Sequence, residues 1–390
     1  MNEDKAEVDM PMRLYGRLSV AEFLGDFMVY RGLNPCDPRL PQLKELLTQA
    51  GLEPGRTPRK HETDYARLVA ALLKAARRLD APRSDISRLI LVGDTRLSDG
   101  GAFQNLCQVG GWGGLVFIGG ENRQPAALAV DQTPGGQPLF LANRWALLEE
   151  FERRRRALGF AMDESTAVVL DLDKTTLGAR GRNAPVIDRV RVQAVRQTVA
   201  GLLGEDFDPN AFQSAYSRLD QPEFHFFTAD NQDYLAYICL VLGSGYAPLE
   251  ELLNRLHSGE LHSFAQFISE VEARQVVLPE ALRAIHAEIY ANVQRGDPTP
   301  FKAFRRNEYR LTAGQMGCLP DDSPVSTILS EEIVITQEVR AIAREWKSQG
   351  ALLFGLSDKP DEASLPTPEL ARQGWLPLHR TVTHMVGEEK

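Results

Sequence analysis

The sequence is poor in the residues that build disulfide frameworks and zinc sites. Its 390 residues include only four cysteines, which form no CxxC pair and no cluster with any of the seven histidines. This spacing excludes the usual zinc site and gives no sign of a disulfide framework. We therefore expect reduced thiols in the protein core at Cys36, Cys107, Cys239 and Cys318.

The chain also lacks a long apolar run and an excess of positive charge. No stretch is long and apolar enough to cross a bilayer, and the acidic start of the sequence does not resemble a secretion signal. The formal net charge of -9 argues against a general affinity for nucleic acid or anionic lipid, because such a surface repels phosphate. The one basic run, 153–156, follows three glutamates in a helical pattern, and we interpret it as a solvated helix face. We predict a cytoplasmic protein without membrane contact or general nucleic-acid binding.

What is present is a pattern of short apolar runs that end in polar residues. A length of 390 residues favours two structural units, and 43% hydrophobic residues can form a sizeable core. Apolar runs at 89–92, 166–170 and 351–356 alternate with amphipathic helical patterns. This alternation predicts an α/β fold with a mostly parallel sheet and helices on both faces.

Three of the predicted strands end in side chains that can carry chemistry. Taken alone, the stretch around Asp171 also fits a buried strand that leaves into an ordinary polar turn. The carboxyl ends of parallel strands meet at one edge of a sheet, however, so we expect the three ends to converge. Four carboxylates brought together repel one another unless they share protons or bind a cation, and oxygen ligands favour Mg²⁺. The predicted magnesium site consists of the carboxylates of Asp171, Asp173, Asp94 and Asp99. With a lysine and the hydroxyl of Ser357 beside it, such a site is equipped for phosphoryl transfer.

Four segments together resemble the motifs of one protein family. Residues 171–175 (DLDKT) match the pattern DxDxT, 93–99 (GDTRLSD) match GDxxxxD, 354–357 (FGLS) are an apolar strand ending in Ser, and Lys60 precedes a helix and a strand. In that order they are similar to the first, fourth, second and third motifs of the haloacid dehalogenase (HAD) superfamily. Most members of this superfamily are magnesium-dependent phosphatases, so the resemblance implies a Rossmann-like core with that activity.

The motifs occur in a permuted order. The resemblance covers about 57–178 and 336–390, where the third and fourth motifs come before the first and second. A circular permutation accounts for this order, because the termini of a domain often lie close together. The strand predicted at 380–386 would then be the one that ordinarily precedes the third-motif lysine, with both termini on one flank. Lys359 remains a rival to Lys60 for that lysine.

The family mechanism implies a role for each matched residue. Asp171 would be the nucleophile that forms an aspartyl-phosphate, and Asp173 would protonate the leaving oxygen and later activate water. Ser357 and Lys60 would bind phosphoryl oxygens. Arginines just past the first motif would contact substrate. The open alternative is that this segment is a solvated hinge without substrate contacts. The implied Mg²⁺ ligands are Asp171, Asp94, the backbone carbonyl of Asp173 and, directly or through water, Asp99; the implied substrate contacts are Thr175, Arg180 and Arg182.

The predicted architecture has a split core and an insertion. Many members of the family insert a cap between the first and second motifs, which excludes water and contacts the substrate. The mostly helical periodicity of the middle region fits such a cap. The four predicted segments are 1–56, helical and packed on the core, with helices at 19–32 and 39–51; 57–178, the first part of the HAD core; 179–335, an α-helical cap; and 336–390, the second part of the core.

These observations predict a Mg²⁺-dependent phosphohydrolase whose partner is a small phosphorylated metabolite, a phosphomonoester. Two alternatives remain: a phosphotransferase of the same fold, and a non-catalytic HAD-like protein that holds a partner with its helical region. No motif in the helical region names a metabolite, and no pattern specifies an oligomeric state.

Overall fold

The computed structural model describes residues 11–53 and 57–389 of the chain. It divides into two compact units, of which the first contains every strand of the described residues. None of the described helices combines the length and the apolar character needed to span a membrane. The first unit is Met1–Arg189, Thr312–Leu365 and Leu370–Lys390, and the second is Val190–Leu311 with Pro366–Glu369.

The first unit is organised around a parallel sheet. In chain order the strands are β1 Met12–Leu18, β2 Met28–Val29, β3 Arg88–Gly93, β4 Gly113–Gly119, β5 Leu128–Gln132, β6 Pro138–Ala142, β7 Thr166–Asp171, β8 Ile335–Thr336, β9 Leu352–Leu356 and β10 Thr383–Glu388. Seven of them form one sheet in the order β2-β9-β7-β3-β4-β6-β5, in which only β5 runs antiparallel to its neighbour. The other three form a small sheet in the order β1-β10-β8.

The helices connect these strands and form the second unit. In chain order they are α1 Ala21–Leu24, α2 Leu43–Ala50, α3 Thr63–Asp80, α4 Ser98–Gly110, α5 Leu148–Ala157, α6 Ala184–Leu203, α7 Pro209–Leu219, α8 His225–Thr228, α9 Gln232–Gly243, α10 Leu249–His257, α11 Phe264–Ala273, α12 Glu280–Gln294, α13 Lys302–Gly314, α14 Val325–Glu331, α15 Gln337–Ser348 and α16 Pro368–Arg372.

Helices cover both faces of the seven-stranded sheet. On one face, α2, α3 and α4 share a buried apolar cluster with alternate strand residues such as Leu91 and Val169. On the other face, the ring of Phe151 in α5 lies edge-on to Phe117 of β4 and to Trp346 of α15, with centroids 5.6 and 6.2 Å apart. Strands buried on both faces need apolar residues at every position, which explains their unbroken apolar runs. The predicted α/β class and mostly parallel sheet are confirmed.

The described part of the N-terminal segment is not the pair of helices that we predict. In place of a helix over 19–32, α1 has only four residues. It is followed by Gly25, whose φ of 82° is incompatible with a continued helix. The next apolar residues form β2, which pairs with β9 at the edge of the sheet. Only α2 lies within a predicted helix, the one over 39–51. The prediction fails because a buried two-residue strand has no periodicity of its own.

The last described strand, β10, belongs to the small sheet and not to the large parallel sheet in which we predict it. β10 pairs antiparallel with β1 and parallel with β8. The edge position beside β9 is occupied by β2, whose Val29 pairs with Leu356. The pairing of β1 with β10 does bring the described ends of the chain side by side, with Met12 opposite Glu388.

The second unit is helical throughout. Its core joins side chains from several helices, among them Phe212 of α7, Ile238 of α9 and Phe267 of α11. The unit is shorter than the predicted cap of 179–335, because the flanks of that range belong to the first unit. The function of this unit as a cap stays a prediction.

Candidate active site

Three adjacent parallel strands bring predicted site residues to one edge of the sheet. β9, β7 and β3 are consecutive in the strand order. Asp171 is the last residue of β7, while Ser357 and Asp94 come directly after β9 and β3. The strand order therefore produces the convergence that the sequence predicts.

A buried lysine joins two of the carboxylates. The Nζ atom of Lys60 lies 2.9 Å from Oδ1 of Asp171 and 2.5 Å from Oδ1 of Asp99. Lys60 comes just before α3, and the packing of α3 on the sheet fixes its position. Lys359, the rival in the sequence, is also buried and lies in the loop after β9.

Asp99 supports the site from within. Its Oδ2 accepts hydrogen bonds from the backbone N–H groups of Asp94, at 3.0 Å, and Thr95, at 2.8 Å, and from the Thr95 hydroxyl, at 2.9 Å. A Cβ atom at Gly93 would come within 2.5 Å of the Asp99 carboxylate carbon, so only glycine allows this close approach. The other oxygen of Asp99, Oδ1, is occupied by Lys60. We therefore assign to Asp99 the role of holding the turn after β3 and the lysine in place, and not primarily that of a metal ligand.

The three acids form a group of the size that holds one cation. One carboxylate oxygen from each of Asp94, Asp99 and Asp171 lies within 4.8 Å of the others. Among the described residues, the Asp173 side chain is not part of this group. Asp173 lies in the loop after β7, so its contribution to a metal site would come from the backbone carbonyl.

The electrostatics of the group show a deficit of positive charge. Burial, reinforced by the negative charge of Asp99, raises the pKa of Asp94 to about 7, against the opposing effect of Arg180. Burial likewise raises the pKa of the Asp171 carboxyl well above its ordinary value, and Lys60 offsets this only in part. Lys60 itself stays charged, because Asp171 and Asp99 raise its pKa despite its burial.

Such a group takes up either protons or a cation. The donors are carboxylate oxygens. These hard ligands suit Mg²⁺ better than they suit the softer transition metals. The donor set and its unbalanced charge therefore fit the ion that the resemblance implies. Asp94 and Asp171 would hold it, together with the carbonyl of Asp173.

Arg180 lies beside Asp94, and its predicted contact with substrate stays a prediction. Its Nη1 donates hydrogen bonds to the carbonyl oxygen of Asp94 at 3.2 Å and to Oδ2 of Asp94 at 3.1 Å. Half of the Arg180 side chain, 51%, is exposed. Both residues line an open cleft of about 390 Å³ that includes Gly119 and Gly120 at the end of β4 and Asn143 after β6. Of the three acids, Asp94 is the one that lines this cleft.

Arg182 is not at the site, and its prediction as a substrate contact is wrong. Its guanidinium is buried between the carboxylates of Glu121 and Glu338, with Nη2 2.8 Å from Oε1 of Glu338. It also donates to the carbonyl oxygen of Val386 in β10. An arginine with two buried carboxylate partners is a structural cross-link. The sequence could not show this because both partners are distant in the chain.

Hydroxyl groups complete the site. Ser357 is fully buried, and its Oγ accepts a hydrogen bond from the backbone N–H of Lys359 at 3.2 Å. The hydroxyls of Thr175 and Tyr65 are buried without a hydrogen-bond partner among the described residues. The helical pattern identifies Tyr65 only as part of the apolar stripe of α3. In the sequence, only its position five residues after Lys60 could have indicated that Tyr65 lies near the site.

Comparison of the chain with protein-family models, with curated proteins and with solved structures gives no match, so the resemblance to the HAD superfamily rests on the motifs quoted above.

Proposed function

We propose that this chain is a Mg²⁺-dependent phosphohydrolase of the HAD type that acts on small phosphomonoesters. The observation that carries the proposal is the buried group of Lys60, Asp171, Asp99 and Asp94 at the carboxyl ends of adjacent parallel strands. A carboxylate paired with a lysine, beside acids that lack a full countercharge, supports phosphoryl transfer.

The first half of the reaction uses the two acids of the first motif. An oxygen of Asp171 forms a bond to phosphorus while the bond from phosphorus to the leaving oxygen breaks. Asp173 gives its proton to that leaving oxygen, so the product departs as an alcohol. A bound Mg²⁺ would supply positive charge beside the phosphoryl oxygens.

The second half reverses these roles. Water attacks the phosphorus of the aspartyl-phosphate and loses a proton to Asp173. The bond between phosphorus and Asp171 then breaks, which regenerates the carboxylate and releases inorganic phosphate. Phosphoryl transfer to another alcohol would follow the same steps with that alcohol in place of water.

The other residues position and neutralise the reacting groups. Lys60 uses two N–H groups on Asp171 and Asp99, and its third can donate to a phosphoryl oxygen. Ser357 and Thr175 follow the adjacent parallel strands β9 and β7, and their hydroxyls would bind phosphoryl oxygens. Because Arg180 lies in the cleft beside Asp94, it would contact the substrate there.

The test is phosphate release from a panel of phosphomonoesters, with Mg²⁺ or with EDTA. We expect turnover only with the metal, and a loss of about 10³-fold or more in kcat for Asp171→Asn. Asp163→Asn is the matched control, since Asp163 precedes the amino end of β7 and pairs with Arg88 away from the acids. It should retain wild-type activity.

Two other results would change the proposal. Absence of turnover across the panel, with no effect of Asp171→Asn on any measured property, would favour a binding protein. An added alcohol that captures most of the phosphoryl group would identify a phosphotransferase at the same site.

A further inference from the structure

Tyr65 has a buried hydroxyl that is not satisfied within the described residues. The residue is 1% exposed, and its Oη has no hydrogen-bond partner there. Most buried polar groups in proteins are paired, and an unpaired donor costs free energy of folding. A phenylalanine would fill the same space without this cost, so the hydroxyl calls for an explanation.

The position of the hydroxyl links it to the acids and the lysine of the site. Tyr65 is in the first turn of α3, five residues after Lys60, and its ring packs in the cluster between α3 and the sheet. Burial raises the pKa of the Tyr65 hydroxyl; the positive charge of Lys60 opposes this, while the negative charges of Asp358 and Asp171 add to it. The hydroxyl therefore keeps its proton at neutral pH and is a hydrogen-bond donor.

The described residues supply no acceptor for this donor. Thr175, four residues after Asp171, has a second buried hydroxyl without a partner among the described residues. The N–H groups of Lys60, whose charge acts on the Tyr65 hydroxyl, are further donors beside Asp171. Unsatisfied donors near a reacting carboxylate suit a ligand rich in acceptor oxygens, as a phosphoryl group is.

We propose that Tyr65 is a further phosphoryl-binding residue, whose hydroxyl donates a hydrogen bond to a non-bridging oxygen of the group that reacts with Asp171. This inference rests on the proposed function. Charge builds up on these oxygens during transfer, and a donor fixed in a buried site stabilises it without reorganisation. The structure thus assigns a role in catalysis to a residue that the helical pattern places only in the core.

Tyr65→Phe tests the inference, because it removes the hydroxyl and keeps the packed ring. We expect kcat/KM for the best substrate of the panel to fall about 100-fold. We also expect weaker inhibition by orthovanadate in the presence of Mg²⁺. The melting temperature should stay unchanged or rise, since the lost hydroxyl has no partner in the described structure.

Tyr30→Phe is the matched control. Tyr30 is as buried as Tyr65, at 1% exposure, but its hydroxyl lies 3.1 Å from Nδ1 of His379. This control should lower the melting temperature and leave kcat/KM and vanadate inhibition unchanged. The crossed pattern, with activity lost in one variant and stability in the other, separates phosphoryl binding from packing.

The result that overturns the inference is wild-type kcat/KM and vanadate affinity in Tyr65→Phe, which would mean that a buried water satisfies the hydroxyl. That outcome leaves the proposed function standing. If the wild-type protein turns over no substrate, calorimetry still tests the role of Tyr65. It would measure the binding of orthovanadate and of inorganic phosphate in the presence of Mg²⁺. Equal affinity in the wild type and the variant, or no binding by either, would reject the role of Tyr65.

Discussion

At the scale of the residue, Asp94 destabilises the fold as a carboxylate. Its pKa is raised from 3.8 to about 7, first by burial and then by Asp99. Between these pH values the folded protein holds a proton that the unfolded chain releases, so stability falls as the pH rises through this window. Above about pH 7 the full free-energy cost of the buried, charged carboxylate is present unless a cation binds. Metal binding at Asp94 would therefore also stabilise the protein.

Replacing this acid should stabilise the metal-free protein. For Asp94→Asn in EDTA at pH 8 we expect a gain of about 2 kcal/mol in the free energy of unfolding, half of the roughly 4 kcal/mol that a three-unit shift represents, because the site relaxes. At pH 4 the gain should vanish, since the native carboxyl is then neutral as well. Urea denaturation at both pH values measures the difference.

The control for this measurement is an acid with the opposite shift. Hydrogen bonds from Ser165, opposed by burial and aided by Arg88, lower the pKa of Asp163. Asp163→Asn should therefore reduce stability at pH 8 and not at low pH. An equal effect of Asp94→Asn at both pH values would show that its carboxylate carries no such penalty.

At the scale of the element, Arg182 connects parts of the first unit that are distant in sequence. Glu121 follows β4, Glu338 belongs to α15, and Val386 to β10, and all three bind the one guanidinium. The Glu121 and Glu338 side chains are 4% and 9% exposed. Removing the arginine would leave two buried carboxylates without their cationic partner.

We therefore expect Arg182→Met to destabilise the protein by about 3–5 kcal/mol, measured by urea denaturation. Arg180→Met is the comparison, because Arg180 is half exposed and its loss should affect activity with little change in stability. If Arg182→Met lowered activity and left stability intact, the substrate contact first inferred from the sequence would be restored.

The elements that the sequence predicted are those whose burial leaves a regular apolar pattern. β3, β7 and β9 are covered on both faces and appear as unbroken apolar runs, and α3 and α15 show an apolar stripe of helical spacing. Because the acids directly follow these strands, the position of Asp94 and Asp171 at one edge could be deduced as well.

What the sequence did not reveal depends on partners far along the chain. β5 is an edge strand that is largely exposed, so it lacks the apolar pattern that would predict it and the hairpin that it forms with β6. β2 has two residues and is defined only by pairing with β9. The same holds for Arg182 and Tyr65, whose roles follow from contacts and not from spacing.

At the scale of the whole molecule, the pairing of β1 with β10 makes the permuted order of motifs testable. The two strands run antiparallel, and the carbonyl oxygen of Pro11 accepts a hydrogen bond from the backbone N–H of Glu389. The two ends of the described chain are therefore neighbours. A short linker can join them if the chain is opened elsewhere.

A rearranged chain that joins the ends and begins at Gly159, in the exposed turn between α5 and β7, should fold and keep its activity. Its motifs would run from first to fourth, since Asp171 and Ser357 would then precede Lys60 and Asp94. Circular dichroism and phosphate release measure the outcome. A chain opened within β7, after Val168, is the control and should not fold. Failure of the first chain to fold would contradict the permutation.

The central claim is that Asp171 becomes phosphorylated during turnover. Wild-type protein with Mg²⁺ and its best substrate would be quenched in acid and treated with borohydride, which reduces an aspartyl-phosphate to homoserine, and the peptides would be read by mass spectrometry. The account predicts homoserine at position 171, and none without substrate or in Asp171→Asn. Turnover with an unmodified Asp171, or with homoserine at position 94, 99 or 173, would contradict it.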